Sequence, residues 1–127
     1  MITVDEFIKL LSEESAWTEG EDFGSTEEML LRKNCARISH RYLQKVLDEP
    51  DEVSDLPTCR IIKDLFDCRI CTPHVIQVIA KGIMYPRKRG PIWLFEGNDE
   101  VTRDEALIIV DSIKDASLRH SKQLAFG

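Results

Sequence analysis

The sequence lacks long apolar runs and an excess of basic charge, and each lack excludes a class of protein. Its longest uncharged apolar runs are about five residues, whereas a membrane-spanning helix needs about 20. The 17 lysines and arginines are outnumbered by 23 acidic residues, so the formal net charge is −6. A nucleic-acid binder would need a basic face that overcomes this field. We therefore expect no membrane insertion and no nucleic-acid partner.

Signatures of catalysis are also missing. No glycine-rich phosphate loop occurs, and the histidines His40, His74 and His120 have no serine or acid motif beside them. The sequence pattern therefore indicates a protein that is not an enzyme and that uses no cofactor.

Composition indicates one globular domain over residues 1–127. Hydrophobic residues make up 43% of the chain and charged residues 31%. A chain of this length and composition can bury a core of its own.

Apolar residues recur at three- and four-residue steps, which predicts helices. Thr3 with Glu6, and Thr102 with Glu105, form capping-box patterns at two helix starts. Residues 48–66 read as an acidic linker followed by a short helix at 58–66. The predicted helices cover residues 3–12, 28–47, 58–66, 72–80 and a last segment that begins at 102.

The two halves of the chain match at one offset of 71 residues without a gap. Val4 aligns with Val75, and Arg32 aligns with Arg103. We read this as an internal repeat of residues 1–47 and 67–116. The expected fold is all-α: two helix–long loop–helix units on one core, with at most very short strands. The loop of the second unit, 83–100, carries the basic run Arg87-Lys88-Arg89 and then a short extended piece, Ile92 to Phe95.

The second half resembles the S-layer homology motif. The resemblance rests on Phe66-Asp67, on the helical run 74–83 that closes with Gly82-Ile83, on Leu94-Phe95, and on Val101-Thr102-Arg103-Asp104-Glu105-Ala106. Members of this family usually carry three such motifs, whereas this chain shows two.

The resemblance implies a noncatalytic binding module that recognises an acidic cell-wall polysaccharide on the bacterial surface. In the family the motif arginine contacts the acidic sugar substituent. The expected ligand-binding residues are therefore Arg103 and Arg32 as anion contacts, Thr102 as the helix cap, Trp93 as a stacking surface, and Arg87 in the basic run. The alternative is a cytoplasmic helical adaptor that binds another protein.

The cysteines leave a second alternative open. Cys68, Cys71 and His74 have the ligand types of a zinc site, with Cys35, His40 or Cys59 as a fourth ligand. The Thr72-Pro73 helix start explains the same stretch without metal, so we expect no metal. A thioredoxin-like role is disfavoured because no βαβ pattern surrounds the C-x-x-C.

Localisation is not fixed by the sequence. No secretory signal is visible at the start, and without one the four cysteines are expected to be reduced thiols, as in the cytosol. The S-layer homology resemblance points instead to the cell surface.

Overall fold

Four helices and one short hairpin follow one another in a computed structural model that describes residues 1–14, 16–25, 27–53 and 61–119. The helices are α1 (Val4–Leu11), α2 (Arg32–Lys45), α3 (Thr72–Ala80) and α4 (Arg103–Lys114). The strands are β1 (Arg87–Arg89) and β2 (Ile92–Leu94). Single 3₁₀ turns lie at Ala16–Thr18 and Ala116–Leu118.

Side-chain caps begin two of these helices, as the sequence predicts. The Thr3 hydroxyl accepts from the Glu6 amide at 3.2 Å, and the Glu6 carboxylate accepts from the Thr3 amide at 3.2 Å. The Thr102 hydroxyl accepts from the Glu105 amide at 3.2 Å. Each cap satisfies a helix amide that has no partner within the helix.

Helix α2 has no side-chain cap, and its first amides are bonded by the other half of the chain. The Arg32 amide donates to the Asp99 carbonyl at 2.8 Å, and the Lys33 amide donates to the Gly97 carbonyl at 2.9 Å. The start of α2 therefore depends on residues more than sixty positions later in the sequence, which explains why it needs no serine, threonine or acid of its own.

Three short backbone segments also join the two halves. The Leu30 amide donates to the Ile2 carbonyl at 2.9 Å, and the Val101 amide donates to the Leu30 carbonyl at 2.8 Å. Residue 30 thus lies between the chain's beginning and the approach to α4, and the bonds hold all three segments at the core.

The core is continuous between the halves. Helix α2 packs against α1 and α3, and α4 packs against α1. The largest side chains that are fully buried come from both halves: Phe7, Ile2, Leu11, Leu30, Ile38, Leu43, Ile79, Ile83, Met84, Ile113, Val4 and Val78.

The expectation of an all-α fold is wrong. Strands β1 and β2 form an antiparallel pair in which Arg87 lies opposite Leu94 and Lys88 lies opposite Trp93. Gly90 has a φ of +61°, a conformation that glycine adopts without strain, and it lets the chain reverse between the strands. Strands of three residues are too short to show an alternating pattern, so the basic run read as a loop. The fold is mixed α/β with little strand.

The sequence also predicts a short helix at 58–66 and an internal repeat. The short helix expected at 58–66 has no α-helical residue in its described part: Ile61 is 3₁₀-helical, Ile62 forms an isolated β-bridge with Trp93, and residues 63–66 form turns. Positions 58–60 lie outside the described residues. The internal repeat stays a prediction. Helices α2 and α4 begin 71 positions apart, but the 3₁₀ turn at Ala16–Thr18 stands where the second half has β1.

Candidate functional site

Arg32 is buried, and its guanidinium is bonded to groups from the second half of the chain. Its Nε donates to the Phe95 carbonyl at 2.9 Å, its Nη2 donates to the Tyr85 carbonyl at 2.6 Å, and its Nη1 lies 2.8 Å from Glu105 Oε1. The guanidinium carbon also lies 4.8 Å from the centre of the Phe95 ring. Five N–H groups in a fixed fork suit this set of acceptors.

Burial of this charge has an electrostatic consequence. Desolvation, followed by the nearby Arg87 charge, lowers the pKa of Arg32 below its ordinary value. An arginine still keeps its charge at neutral pH, so Arg32 places a fixed positive charge beneath the surface. Its side chain is 4% exposed, and it orients its neighbours rather than reaching a ligand directly.

Arg87 brings a second guanidinium to the same region. It lies at the start of β1, with about a third of its side chain exposed, and its Nη1 is 2.7 Å from Asp99 Oδ2. Its Nη2 is 4.0 Å from Glu105 Oε2. Glu105 therefore lies between Arg32 and Arg87, so one carboxylate from α4 positions both cations.

A cleft of about 300 Å³ opens beside these groups. Its polar wall consists of Arg32, Arg87 and Glu105. Its other wall is mainly apolar and lies along the 83–86 segment and α4: Ile83, Met84, Tyr85, Pro86, Ile108 and Ile109. An apolar wall facing a few placed charges is the usual character of a small-ligand site, and the volume is at the small end of that range.

The structure does not bring Arg103 into this cleft. Arg103 lies in the first turn of α4, and its Nη2 is 2.6 Å from Glu6 Oε2 on α1, with half of its side chain exposed. The bond from Arg103 lowers the pKa of Glu6. Thr102 serves as the α4 cap. Arg103 therefore pairs with Glu6 on α1, whereas Arg87 lies near Glu105 in the first turn of α4. The two predicted arginines make separate contacts.

Trp93 lies on β2, which pairs with the strand that carries Arg87. Its ring is 5.8 Å from the Lys88 ammonium across the hairpin, a cation–π distance. Its backbone carbonyl accepts from the Lys63 amide at 2.9 Å. The side chains of Trp93 and Lys88 are not among those that line the cleft.

The cysteines differ from the sequence expectation. Cys68 and Cys71 form a disulfide, so the expectation of reduced thiols is wrong for this pair. Cys35 is a free, buried thiol, and burial raises its pKa to about 12. Cys59 and His120 lie outside the described residues.

The zinc grouping of Cys68, Cys71 and His74 is not assembled. The two sulfurs are bonded to each other, and His74 Nδ1 lies 2.8 Å from His40 Nδ1. Among residues 1–14, 16–25, 27–53 and 61–119, no group of three histidine, cysteine or acidic side chains is placed to hold a metal ion.

Sequence reasoning missed two relationships. His40 Nε2 lies 2.8 Å from Asp51 Oδ1, which makes an Asp51–His40–His74 chain; no sequence spacing indicates that residues 40 and 74 meet. The role of Glu105 between two arginines was also missed, because its position in a capping pattern already explained it. The disulfide had a signal, the C-x-x-C spacing.

Comparisons with known proteins concern the fold. No family model matches the chain, and no curated protein matches it. Among solved structures, the chain resembles the undecaheme cytochrome from the S-layer of Carboxydothermus ferrireducens, with a TM-score of 0.65 and 14% sequence identity. The match covers 94% of this chain and 18% of the cytochrome, so the chain spans under a fifth of that protein.

The likeness extends to the backbone only. Haem of the c type is attached at C-x-x-C-H sequences, and here Thr72 follows Cys71. The haem chemistry of the cytochrome is therefore not carried over to this chain.

No helix among the described residues has the length and apolarity that crossing a bilayer requires.

Proposed function

We propose that this protein is a noncatalytic binding module of the bacterial cell surface that recognises an acidic cell-wall polysaccharide. The observation that carries the proposal is the likeness of 94% of the chain to a protein from an S-layer. The S-layer homology resemblance at Val101-Thr102-Arg103-Asp104-Glu105-Ala106 supports glycan recognition independently of that likeness, although Arg103 itself pairs with Glu6 and lies outside the cleft.

The cleft beside Arg87 is the proposed glycan site. Arg87 is the cation within reach of solvent there, and its present partner Asp99 is itself half exposed. A ligand carboxylate can replace Asp99 on the guanidinium, because both are bidentate acceptors of the same kind. Arg32 holds Glu105 and the Tyr85 carbonyl in place, and the apolar wall at Ile108 receives the hydrophobic face of a sugar ring.

The direct experiment measures binding to purified acidic cell-wall polysaccharide. The wild type should bind, and Arg87→Ala should weaken binding about tenfold or more, the worth of one charge-assisted hydrogen bond. Circular dichroism checks that the variant is folded. Absence of binding by the wild type would remove the function, whereas unchanged binding by Arg87→Ala would remove the site.

Arg103→Ala is the matched control variant. Arg103 is also a partly exposed arginine bonded to one carboxylate, but it lies outside the cleft. We expect this variant to bind like the wild type. Loss of binding in Arg103→Ala with retention in Arg87→Ala would move the site to the start of α4 and leave the function standing.

A protein-binding adaptor is the second candidate function. The observation that favours it is the exposure of two large apolar residues on α4, Ile108 at 63% and Leu107 at 44%. Replacing both with serine should abolish partner binding if this function holds. The same double variant should weaken glycan binding only slightly, because Ile108 lines the cleft and Leu107 does not.

A further inference from the structure

The Cys68–Cys71 disulfide lies immediately before the N-terminus of α3. Cys71 is buried, with 2% of its surface exposed, and it immediately precedes the first helical residue. Cys68 is only partly buried. The two Cα atoms are 5.2 Å apart. Of the two sulfur-bearing residues, Cys68 is therefore the one that an incoming thiolate can reach.

Exposed apolar side chains flank this disulfide in the sequence. Phe66 is 67% exposed and Ile70 is 69% exposed, although residues of this type are normally buried. They stand two positions before and two positions after Cys68 in the sequence, so two exposed large apolar residues lie in the short stretch of chain around the reachable sulfur. Such residues on both sides of a reactive sulfur suit a partner segment that is itself apolar.

A cavity adjoins the same pair of cysteines. It has a volume of about 230 Å³, and both Cys68 and Cys71 line it. Leu65, Val75 and Phe95 give it apolar surface, while Asp64, Asp67 and Lys33 are among its polar residues. The cavity provides room for a side chain next to the sulfur that is attacked.

From these three observations we propose that Cys68–Cys71 is a thiol–disulfide exchange site whose substrates are dithiols in apolar protein or peptide segments. The chemistry differs from glycan binding, and the cavity has no lining residue in common with the Arg87 cleft, although Asp99 lines the cavity and pairs with Arg87.

The exchange proceeds in two balanced steps. A substrate thiolate attacks Cys68 Sγ, the Cys68–Cys71 bond breaks, and Cys71 leaves as a thiolate that takes up a proton. The second substrate thiolate then attacks the first substrate sulfur, which is bonded to Cys68 in the mixed disulfide. The bond to Cys68 breaks, and Cys68 leaves as a thiolate that takes up a proton. The substrate is oxidised to a disulfide, and the protein gains two electrons and two protons.

Cys35 provides an internal reference for this reactivity. Its thiol is fully buried and has a pKa of about 12, so almost none of it is the nucleophilic thiolate at neutral pH. Cys35 should stay unmodified in the folded protein under conditions in which Cys68 exchanges.

The test uses the full chain with Cys59→Ser, which removes the cysteine outside the described residues. The folded protein is titrated with dithiothreitol and with a synthetic peptide that carries two cysteines among apolar residues. Free thiols are alkylated and counted by mass, and helical content is followed by circular dichroism. We expect two new thiols without loss of helical signal, with reoxidation when oxidised peptide is added. Reduction that occurs only where the helical signal is lost would overturn the proposal.

Single-cysteine variants identify the attacked sulfur. With Cys71→Ser, the remaining Cys68 should form a mixed disulfide with the oxidised peptide about tenfold faster than Cys71 does in Cys68→Ser. Equal rates in the two variants would contradict the assignment. The titration of the Cys59→Ser protein keeps both Cys68 and Cys71, so it decides the proposal even if either single-cysteine variant does not fold.

The substrate class has its own comparison. Phe66→Ser combined with Ile70→Ser should slow reduction by the apolar peptide severalfold and leave reduction by dithiothreitol unchanged, since the small dithiol needs no apolar contact. An unchanged rate with the peptide would overturn the assignment to apolar segments.

Discussion

The Arg32 guanidinium lies 2.8 Å from the Glu105 carboxylate, although the two residues are 73 positions apart. This pair joins the first turn of α2 to the first turn of α4. Because Arg32 also donates to two backbone carbonyls, the pair holds the loop carbonyls of residues 85 and 95 at the same point.

Removing Arg32 should be strongly destabilising. Arg32→Ala leaves one buried carbonyl, one partly buried carbonyl and a partly exposed carboxylate without their donor. This should lower the free energy of unfolding by about 2–4 kcal/mol. Arg32→Lys should recover little of this loss, because an ammonium cannot match the guanidinium fork. Urea denaturation measures both, and a loss under about 0.5 kcal/mol, typical of a surface residue, would contradict the structural role.

Local sequence chemistry predicted the helix starts at Thr3 and Thr102 because a cap involves residues three positions apart. It did not predict the burial of Arg32, since charged residues are usually exposed and the acceptors of Arg32 come from residues 85, 95 and 105. The sequence predicted an extended piece at 92–95, which contains β2. Its pairing with β1 was missed because the three residues of β1 are too few to show an alternating pattern. Arg87 was singled out for its basic run, but its cleft exists only through the tertiary placement of residues 83–86 and α4.

The Thr102 cap gives a smaller and separate effect. Thr102→Ala removes the acceptor of the Glu105 amide and should lower stability by about 1 kcal/mol. Thr102→Ser keeps the acceptor and should lie near the wild type. Thermal unfolding monitored by circular dichroism compares the three proteins. Equal melting temperatures for the alanine and serine variants would contradict a capping role.

His74 should make stability depend on pH. Desolvation by burial, followed by the His40 charge, lowers the pKa of His74 from 6.5 to about 4. The unfolded chain therefore takes up a proton that the folded protein resists. The stabilisation is fully present above pH 6.5 and is lost as the pH falls from about 6.5 to about 4. After allowance for solvent screening at this partly exposed ring, the loss is about 1–2 kcal/mol.

The comparison with His74→Gln isolates this contribution. Other groups surround the pair: Asp51 bonds to His40, and the charges of Arg37, Arg41 and Glu21 act on His74. Carboxylates such as Glu6, whose ordinary pKa is 4.5 and is lowered further by the bond from Arg103, affect stability at lower pH. Urea denaturation at pH 7 and at pH 5 gives the change in the free energy of unfolding between the two pH values. This change should be smaller in His74→Gln than in the wild type, and an equal change in both proteins would contradict the account.

The Cys68–Cys71 disulfide should contribute modestly to stability. It closes a very short loop, so it constrains the unfolded chain little, and Cys68→Ser with Cys71→Ser should cost about 1–2 kcal/mol. The continuous core should keep the double variant helical. If the two residues instead held a structural metal, chelation would unfold the wild type; we expect its circular dichroism spectrum to be unchanged by a chelator.

The most direct test of glycan recognition compares one cell-wall polysaccharide in two chemical forms. Titration calorimetry with the native acidic polymer should show binding by the wild-type protein. The same polymer with its carboxyl groups reduced to alcohols should bind at least about tenfold more weakly, because it has no carboxylate to replace Asp99 on Arg87. Equal affinity for the two forms, or no binding of either, would contradict the account.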